Sequence, residues 1–258
     1  MRYPKIACAF LLAAAPMLGE AKLEIRQGRP VVDGVYVNGH GPYRFLVDTG
    51  AQGNQLEVKL ARSIGLQPTF QVDIVTAAGV IRVSGREGIE VRLDTVEATG
   101  QEFLFTDLQA VRQLSADIQG VLGQSFLSRS DYLLDFLGKR LSFGMQDRKG
   151  TRAEFKLLDG RPSVFSNLGW LVLDSGADHV ILFGEGSSKR TQTIRTASGL
   201  LDIAIIRTTQ LIIEGRTIAY GDAVEVPRQS SLVEDGLLPA RLFHAVYVCN
   251  SGGYLILD

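Results

Sequence analysis

The sequence predicts an all-β protein, mainly β with short helices, built as two similar lobes. Val, Ile, Leu and Gly recur in short runs, which is typical of strands joined by tight turns. The chain has 258 residues, enough for two domains of ordinary size. Several short motifs occur twice, in the same order, in the two halves, which indicates an internal duplication.

The clearest repeat is an apolar strand that ends in an Asp-containing turn. Residues 45–47 are followed by Asp48-Thr49-Gly50-Ala51, and residues 171–173 by Asp174-Ser175-Gly176-Ala177. Three further matches come in the same order, pairing residues 76–79 with 196–199, 119–122 with 235–238, and 132–135 with 247–250. The offsets predict a duplicated unit of about 115 to 125 residues, too long for a solenoid repeat.

The first 21 residues are typical of a secretory signal peptide. Arg2 and Lys5 precede the mostly apolar residues 6–18, and Gly19 and Ala21 are small residues at the −3 and −1 positions of a cleavage site. A buried helix or an uncleaved anchor is the alternative. We expect an exported protein, periplasmic or secreted, without stable membrane association after cleavage, because no other stretch is apolar enough for a membrane span.

In the first lobe, hydrophobic patterns predict most elements. Strands are expected over residues 31–37, 43–47, 89–93, 102–106, 132–136 and 140–143, with a hairpin over 72–76 and 80–84. Leu56, Leu60 and Ile64 follow helical spacing before Gly65, which predicts a short helix, and residues 123–129 predict another.

The second lobe repeats this plan with fewer elements. We expect strands over residues 168–174, 210–213, 245–249 and 254–257, a hairpin over 193–206, and a loop over 184–188 where the first lobe has its helix. The polar residues 144–152 separate the lobes. The predicted organisation is a signal peptide over residues 1–21, an N-terminal lobe over 22–147 and a C-terminal lobe over 148–258.

Composition excludes several classes of function. Lys and Arg number 27 against 28 for Asp and Glu, so the chain lacks the basic excess of a nucleic-acid-binding protein. The two Cys, one inside the signal segment, exclude a disulfide framework. His40, His179 and His244 show no metal-ligand spacing, and no nucleophile elbow or phosphate-binding loop is present. We expect no metal and no organic cofactor. His179 could tune the second Asp turn, although a surface position is the simpler interpretation.

With its two Asp-Thr/Ser-Gly turns, the sequence resembles the retropepsin-like and pepsin-like aspartic proteases, in the form of a bacterial, exported chain with two repeats. The resemblance covers nearly all of residues 25–258 and implies a two-lobed, β-barrel-like acid-protease fold. An apolar-apolar-Gly segment that crosses behind each turn in this family matches Val121-Leu122-Gly123. Leu237-Leu238-Pro239 departs from it, with Pro in place of Gly.

The resemblance implies an aspartic endopeptidase in which Asp48 and Asp174 activate a water molecule. Two carboxyl groups held close together share one proton, so one can act as a general base and the other as a general acid. Thr49 and Ser175 would hydrogen-bond to the opposite turn. Gly50 and Gly176 would allow an unusual backbone conformation and a close approach of the backbone to the carboxylates.

The family's substrate-covering flaps correspond here to Thr76-Ala77-Ala78-Gly79 and Thr196-Ala197-Ser198-Gly199, although plain β-turns would show the same pattern. The expected partner is a polypeptide substrate, and the chain is expected to act as a monomer. Two alternatives stay open: a catalytically inactive peptide-binding protein with the same fold, and an exported β-rich structural protein in which the repeated motifs are coincidental.

Overall fold

Short apolar runs bounded by Gly, Asn and Asp turns form strands along most of the chain, and the all-β, two-lobed class is confirmed. The computed structural model describes residues 18–76, 79–109, 111–184, 191–196, 199–206, 210–218 and 221–258. None of the helices within these ranges is long and apolar enough to cross a membrane.

The N-terminal lobe contains ten strands, two helices and a 3₁₀ turn among its described residues. They are β1 (Gly19–Arg26), β2 (Arg29–Val37), β3 (His40–Val47), β4 (Asn54–Glu57), α1 (Val58–Ser63), β5 (Phe70–Thr76), β6 (Gly79–Leu93), β7 (Val96–Thr106), the 3₁₀ turn Val111–Gln113, β8 (Ile118–Leu122), α2 (Gln124–Leu127), β9 (Tyr132–Asp135) and β10 (Arg140–Phe143).

The C-terminal lobe contains twelve strands and a 3₁₀ turn among its described residues, with no α-helix in these ranges. They are β11 (Thr151–Leu158), β12 (Arg161–Ser166), β13 (Gly169–Asp174), β14 (Ile181–Gly184), β15 (Thr191–Thr196), β16 (Gly199–Ile206), β17 (Leu211–Ile213), β18 (Arg216–Ile218), β19 (Ala223–Pro227), β20 (Gly236–Pro239), the 3₁₀ turn Ala240–Leu242, β21 (Ala245–Cys249) and β22 (Tyr254–Leu257).

A six-stranded antiparallel sheet, here called the central sheet, joins the lobes in the order β1-β10-β9-β21-β22-β11. Its middle pair is formed by β9 and β21, one from each lobe, with Leu134 opposite Val246. Both of these side chains are fully buried in a core that extends through both lobes. The two halves of the chain therefore share one hydrophobic core as well as one sheet.

In the N-terminal lobe the strands β2, β3, β8, β4, β7 and β6 form a closed barrel, because β6 pairs with β2 as well as with β7. In the C-terminal lobe β12, β13, β20, β14, β19 and β16 pair in the matching order. In both lobes the strand before the Asp turn lies parallel to the strand that crosses behind it.

The structure corrects several predicted elements. The helix predicted over residues 56–65 begins at Val58, because Leu56 belongs to β4, where it is buried between β7 and β8. The strand predicted over residues 89–93 is the second half of the long strand β6. The helix predicted over 123–129 is shorter. Nine strands did not figure among the predicted ones: β1, β4, β8, β11, β12, β14, β18, β19 and β20.

Two predicted boundaries fall within strands of the structure. The expected cleavage point, between Ala21 and Lys22, lies inside β1, where Ala21 is buried and pairs with Leu141. Residues 1–17 lie outside the described ranges, so the signal peptide stays a prediction. The loop predicted over residues 184–188 begins at Gly184, the last residue of β14, and its remainder also lies outside the described ranges.

Candidate active site

Two equivalent strand ends bring the Asp turns together. β3 leads into Asp48, and β13 ends at Asp174. Behind the first turn, the Asp48 N–H donates to the carbonyl of Leu122 in β8, at 2.9 Å. Behind the second, Asp174 lies opposite Pro239 in the pairing of β13 with β20. In each lobe, a buried pair of parallel strands therefore lies behind the Asp turn.

Thr49 and Ser175 connect the two turns through four hydrogen bonds. The Thr49 hydroxyl donates to the carbonyl of Leu173 at 2.8 Å and accepts from the Ser175 N–H at 2.9 Å. The Ser175 hydroxyl donates to the carbonyl of Val47 at 2.7 Å and accepts from the Thr49 N–H at 3.0 Å. Both side chains are buried, so the exchange satisfies polar groups that water cannot reach.

The carboxyl groups of Asp48 and Asp174 lie close together, because each approaches the glycine of the opposite turn. Asp48 Oδ1 accepts from the Gly50 N–H at 2.9 Å. Asp174 Oδ1 accepts from the N–H groups of Gly176 and Ala177 at 2.7 and 2.9 Å. Each carboxylate is therefore oriented by its own turn and faces the carboxylate of the other lobe.

Burial raises the pKa of both carboxyl groups. The pKa of Asp48 is raised by desolvation, and hydrogen bonds and the charge of Arg161 partly oppose this. The pKa of Asp174 is raised further, by desolvation and by the negative charge of Asp48. The two groups titrate as a pair. Because two adjacent carboxylates resist ionising together, the pair retains one proton on the Asp174 side at pH values where an isolated Asp is ionised.

The expectation that Gly50 and Gly176 adopt an unusual backbone conformation is wrong, since neither has a positive φ. The structure does show the second role expected of them, a close approach of the backbone to the carboxylates. A Cβ on Gly50 would lie 2.4 Å from Asp174 Cγ, and a Cβ on Gly176 would lie 2.8 Å from Asp48 Oδ2. Each glycine therefore leaves room for the carboxylate of the opposite lobe.

The Asp pair lies in a cleft of about 1270 Å³. Ile74 and Ile81, from the β5–β6 hairpin, also line this cleft. Leu108, Val111 and Leu114 line its N-terminal-lobe side. Such a cleft can hold an extended chain with apolar side chains.

The predicted flap residues that the structure describes lie at the ends of two equivalent strand pairs. Thr76 pairs with Gly79 at the end of β5 and β6, and Thr196 pairs with Gly199 at the end of β15 and β16. Ala77, Ala78, Ala197 and Ser198 lie outside the described residues. The flap function of all eight residues stays a prediction.

The two lobes differ at two neighbouring positions behind the Asp turn, and Pro239 is one of them. In the N-terminal lobe, the Gly123 N–H donates to Asn54 Oδ1 at 3.0 Å. The residue six positions after Asp174, equivalent to Asn54, is Val180, which is buried. Pro239 has no N–H and Val180 has no acceptor, so the C-terminal lobe lacks both partners of this hydrogen bond and leaves neither unsatisfied.

The sequence prediction did not include two arginines beside the Asp turns. Arg29 Nε donates to the carbonyl of Gly176 at 2.5 Å, and its guanidinium pairs with Asp178 at 3.0 Å. Arg161 is the cation that acts on Asp48. Both stand in a repeated Gly-Arg-Pro motif, at residues 28–30 and 160–162, and this repeat was the signal that could have found them.

Other residues considered from the sequence lie outside the pair. His179 is exposed and contacts Asp178 at 2.8 Å, as the surface interpretation expects. Cys249 is a buried free thiol. Within the described ranges, no group of three His, Cys, Asp or Glu residues could hold a metal ion.

Comparisons with known proteins agree with the motif-based resemblance. Residues 34–126 match the family described as aspartyl protease. A solved structure, a retropepsin-like aspartic protease from Rickettsia conorii, is similar at 21% identity and a TM-score of 0.38, over 50% of this chain and 92% of that one. No curated protein matches. The family match confirms the resemblance to aspartic proteases over residues of the N-terminal lobe.

Proposed function

We propose that this chain is an aspartic endopeptidase of the retropepsin-like kind, which hydrolyses peptide bonds with Asp48 and Asp174. The observation that carries the proposal is that the carboxyl groups of the partly buried Asp48 and the buried Asp174 come together where both residues line one cleft. The exchange between Thr49 and Ser175 supports it, because it holds the two carboxyl groups in one arrangement. General acid–base catalysis requires such positioned groups.

In the proposed reaction, ionised Asp48 removes a proton from a water molecule between the carboxyl groups. The water oxygen bonds to the peptide carbonyl carbon while protonated Asp174 donates its proton to the carbonyl oxygen. Collapse of this intermediate breaks the C–N bond, and the proton taken up by Asp48 passes to the leaving nitrogen. A hydroxyl proton of the intermediate returns to Asp174. The pair then carries one proton again and can begin another turnover.

The proposed substrate is an extended polypeptide that lies in the cleft between the lobes. The chain contains both Asp turns, so a second copy is not needed to assemble the pair, and we propose a monomer without metal or organic cofactor. We also propose that the chain is exported by its predicted signal peptide. Pulse-labelled cells would contain two forms that differ by the signal segment, and uncleaved cytoplasmic chain would argue against export.

The pKa directions imply a pH range for the reaction. Activity falls at low pH when Asp48 becomes protonated, and at high pH when Asp174 loses its proton. Since burial raises both pKa values, both limits lie at higher pH than an isolated Asp would give. We expect activity at mildly acidic to neutral pH.

Cleavage of a mixed peptide library from pH 3 to 8 tests the proposal. The wild-type chain should cut internal bonds, and Asp48→Asn and Asp174→Asn should each reduce cleavage by at least about 10³-fold, because each removes one member of the acid–base pair. Asp94→Asn, in an exposed turn far from the cleft, is the matched control. Equal cleavage by wild type and both site variants would refute the proposal.

A peptide-binding protein without catalysis is the second candidate, and Pro239 favours it because the family has Gly there. This argument is weakened because Val180 stands at the position equivalent to Asn54. With neither the N–H nor its acceptor present, Pro239 leaves no hydrogen-bonding group unsatisfied at that point. Binding of library peptides with no cleavage at any pH would favour this candidate.

A further inference from the structure

A buried glutamine lies behind the first Asp turn. Gln124 is the first residue of α2, shortly after the crossing strand β8, and it is 2% exposed. Its Nε2 donates to the carbonyl of Thr49 at 2.8 Å and to the Tyr132 hydroxyl at 3.2 Å. Because a carbonyl can only accept hydrogen bonds, the Thr49 contact identifies which end of the amide is the nitrogen.

This contact reaches Asp48 through a single peptide group. The Thr49 carbonyl and the Gly50 N–H belong to the same planar unit and point in opposite directions. Gln124 binds the carbonyl end, and the N–H end donates to Asp48 Oδ1 at 2.9 Å. A rotation of this plane would disturb both hydrogen bonds at once. A donor on the carbonyl also polarises the peptide group, which makes its N–H a stronger donor.

The backbone of Gln124 binds the same turn. Its N–H donates to the Ala51 carbonyl at 2.9 Å, a contact that does not depend on the side chain at this position. Thr49 is fully buried, and its N–H donates to the Ser175 hydroxyl. The Gln124 side chain therefore adds a donor for the Thr49 carbonyl to a turn whose backbone is already anchored on both sides.

The C-terminal lobe has no such donor at the equivalent position. In the aligned repeat, Ala240 stands where the N-terminal lobe has Gln124. Ala240 is fully buried, and its methyl group cannot donate a hydrogen bond. There, Asp174 Oδ1 accepts from two N–H groups, those of Gly176 and Ala177. The two lobes thus orient their carboxyl groups in different ways.

The amide of Gln124 also has a cost for the fold. Its Oε1 is buried and has no hydrogen-bond partner in the part of the chain that the structure describes. A buried acceptor without a partner destabilises the folded state. Since Ala240 shows that an apolar side chain fits this place in the repeat, packing alone does not require an amide here.

We propose that Gln124 is a positioning residue, which holds the Thr49–Gly50 peptide group so that its N–H is directed at the carboxylate of Asp48. The inference rests on the proposed function, in which Asp48 is the base. An N–H that donates to a carboxylate favours its ionised form. Burial raises the pKa of Asp48, and the hydrogen bond from Gly50 is the strongest influence that lowers it. Gln124 therefore helps to keep the base ionised.

Other charged or titratable groups also surround the Asp turns and Gln124: Asp174, Arg161 with its buried partner Glu234, Arg29 with its partner Asp178, and Tyr132. Burial raises the pKa of Tyr132, so its hydroxyl stays neutral over the range in which Asp48 titrates. Substitution of Gln124 by an uncharged residue changes none of these charges. A shift in the titration of Asp48 then reports on the peptide group.

A titration of Asp48 tests the inference without requiring activity. In the Asp174→Asn chain labelled with ¹³C at Asp carboxyl groups, Asp48 titrates without its partner, and its signal is the one lost when Asp48→Asn is added. Gln124→Met has a similar length and no donor, and it should raise the titration midpoint by roughly 0.5 pH unit or more. Tyr132→Phe removes the other contact of Gln124 and should leave the midpoint unchanged. An unchanged midpoint in Gln124→Met, or equal shifts in both variants, overturns the inference.

The pH dependence of kcat/KM in the otherwise wild-type chain gives a second test. Gln124→Met should move the acidic limit of activity to higher pH, because the ionised form of Asp48 loses support. Tyr132→Phe should leave this limit in place even where it lowers the melting temperature. A lower melting temperature with an unmoved acidic limit in Gln124→Met would leave Gln124 with a structural role only and overturn the inference.

Folding and activity controls keep these outcomes distinct. If Gln124→Met does not fold, Gln124→Ala copies the residue of the other lobe and should show the same upward shift in the titration of Asp48. If the wild-type chain cleaves no peptide, the proposed function fails, and the ¹³C titration alone decides whether Gln124 acts on Asp48.

Discussion

At the residue scale, each member of the Asp pair is surrounded by groups from both lobes. Gly50 lies against Asp174 and Gly176 against Asp48, so either glycine could accept a side chain only if the opposite carboxylate moved. Thr49 and Ser175 bind main-chain groups of the opposite turn. The geometry of the pair is therefore a property of the interface between the lobes.

The Ser175 hydroxyl provides a direct test of this interface. Ser175→Ala leaves the Thr49 N–H without its acceptor, so the free energy of unfolding should fall by roughly 1–3 kcal/mol and kcat/KM by at least tenfold. Ser175→Thr keeps the hydroxyl, as Thr49 does in the other lobe, and should retain most of both. Urea unfolding and peptide cleavage measure these effects. An alanine variant as stable and active as wild type would contradict the prediction.

Asp174→Asn should stabilise the protein at neutral pH. The raised pKa of Asp174 means that its contribution to stability is complete below the unfolded-state pKa and is lost as pH rises through the folded-state pKa. An amide removes this charge, and we expect a gain of about 1 kcal/mol at pH 7 that shrinks towards pH 3.5. Urea unfolding at both pH values, with Asp94→Asn as control, measures it. Equal gains in the free energy of unfolding at both pH values would contradict a link between the ionisation of Asp174 and stability.

At the element scale, the two lobes have different residues where a strand crosses behind the Asp turn. A Cβ on Gly123, after β8, would lie 2.4 Å from the Gly53 carbonyl, so the chain requires glycine there. After Leu238 in β20, Pro239 occupies the equivalent place, opposite Asp174. The absence of an Asn54-like acceptor at Val180 makes a residue without an N–H suitable.

Pro239→Gly should therefore weaken the C-terminal lobe rather than restore it. The new N–H faces Val180 and the unfolded chain gains freedom, so the free energy of unfolding should fall by about 1 kcal/mol or more, with no gain in kcat. Adding Val180→Asn supplies the missing acceptor and should recover part of the loss. A single variant that is more stable or more active than wild type would show that Pro239 impairs the site.

At the scale of the whole molecule, the lobes are joined by the central sheet and a continuous core. β9 pairs with β21 in the middle of the sheet, and Leu134 and Val246 belong to the same cluster. The main buried cluster takes residues from both lobes, and a smaller cluster lies in the N-terminal lobe. We therefore expect the two lobes to unfold together.

Calorimetry of the full chain should give one cooperative transition, with the van't Hoff enthalpy close to the calorimetric one. A fragment of residues 22–147 should not fold as a stable monomer, since it exposes the unpaired edge of β9. Size-exclusion chromatography and the melting curve of the fragment measure this. Two separate transitions in the full chain, or a stable monomeric fragment, would show that the lobes are independent.

Much of the strand pattern could be predicted from the sequence. The strands at residues 140–143, 245–249 and 254–257 have the bounds expected for them, because apolar runs end at clear turn residues. The prediction was wrong at Leu56, where helical spacing coincides with burial between two strands. It also omitted β1 and β11, whose mixed polar and apolar residues become strands only by pairing with the central sheet.

The sequence alone determined the all-β class and the two Asp turns, because these depend on local patterns and on motifs that occur twice along one chain. Only the tertiary structure decided that the turns touch, that Gly50 and Gly176 serve close approach, and that Arg29 and Arg161 lie in unlike charge environments. These properties come from contacts between residues about 70 to 150 positions apart, such as Arg29 with Gly176, which no local pattern specifies.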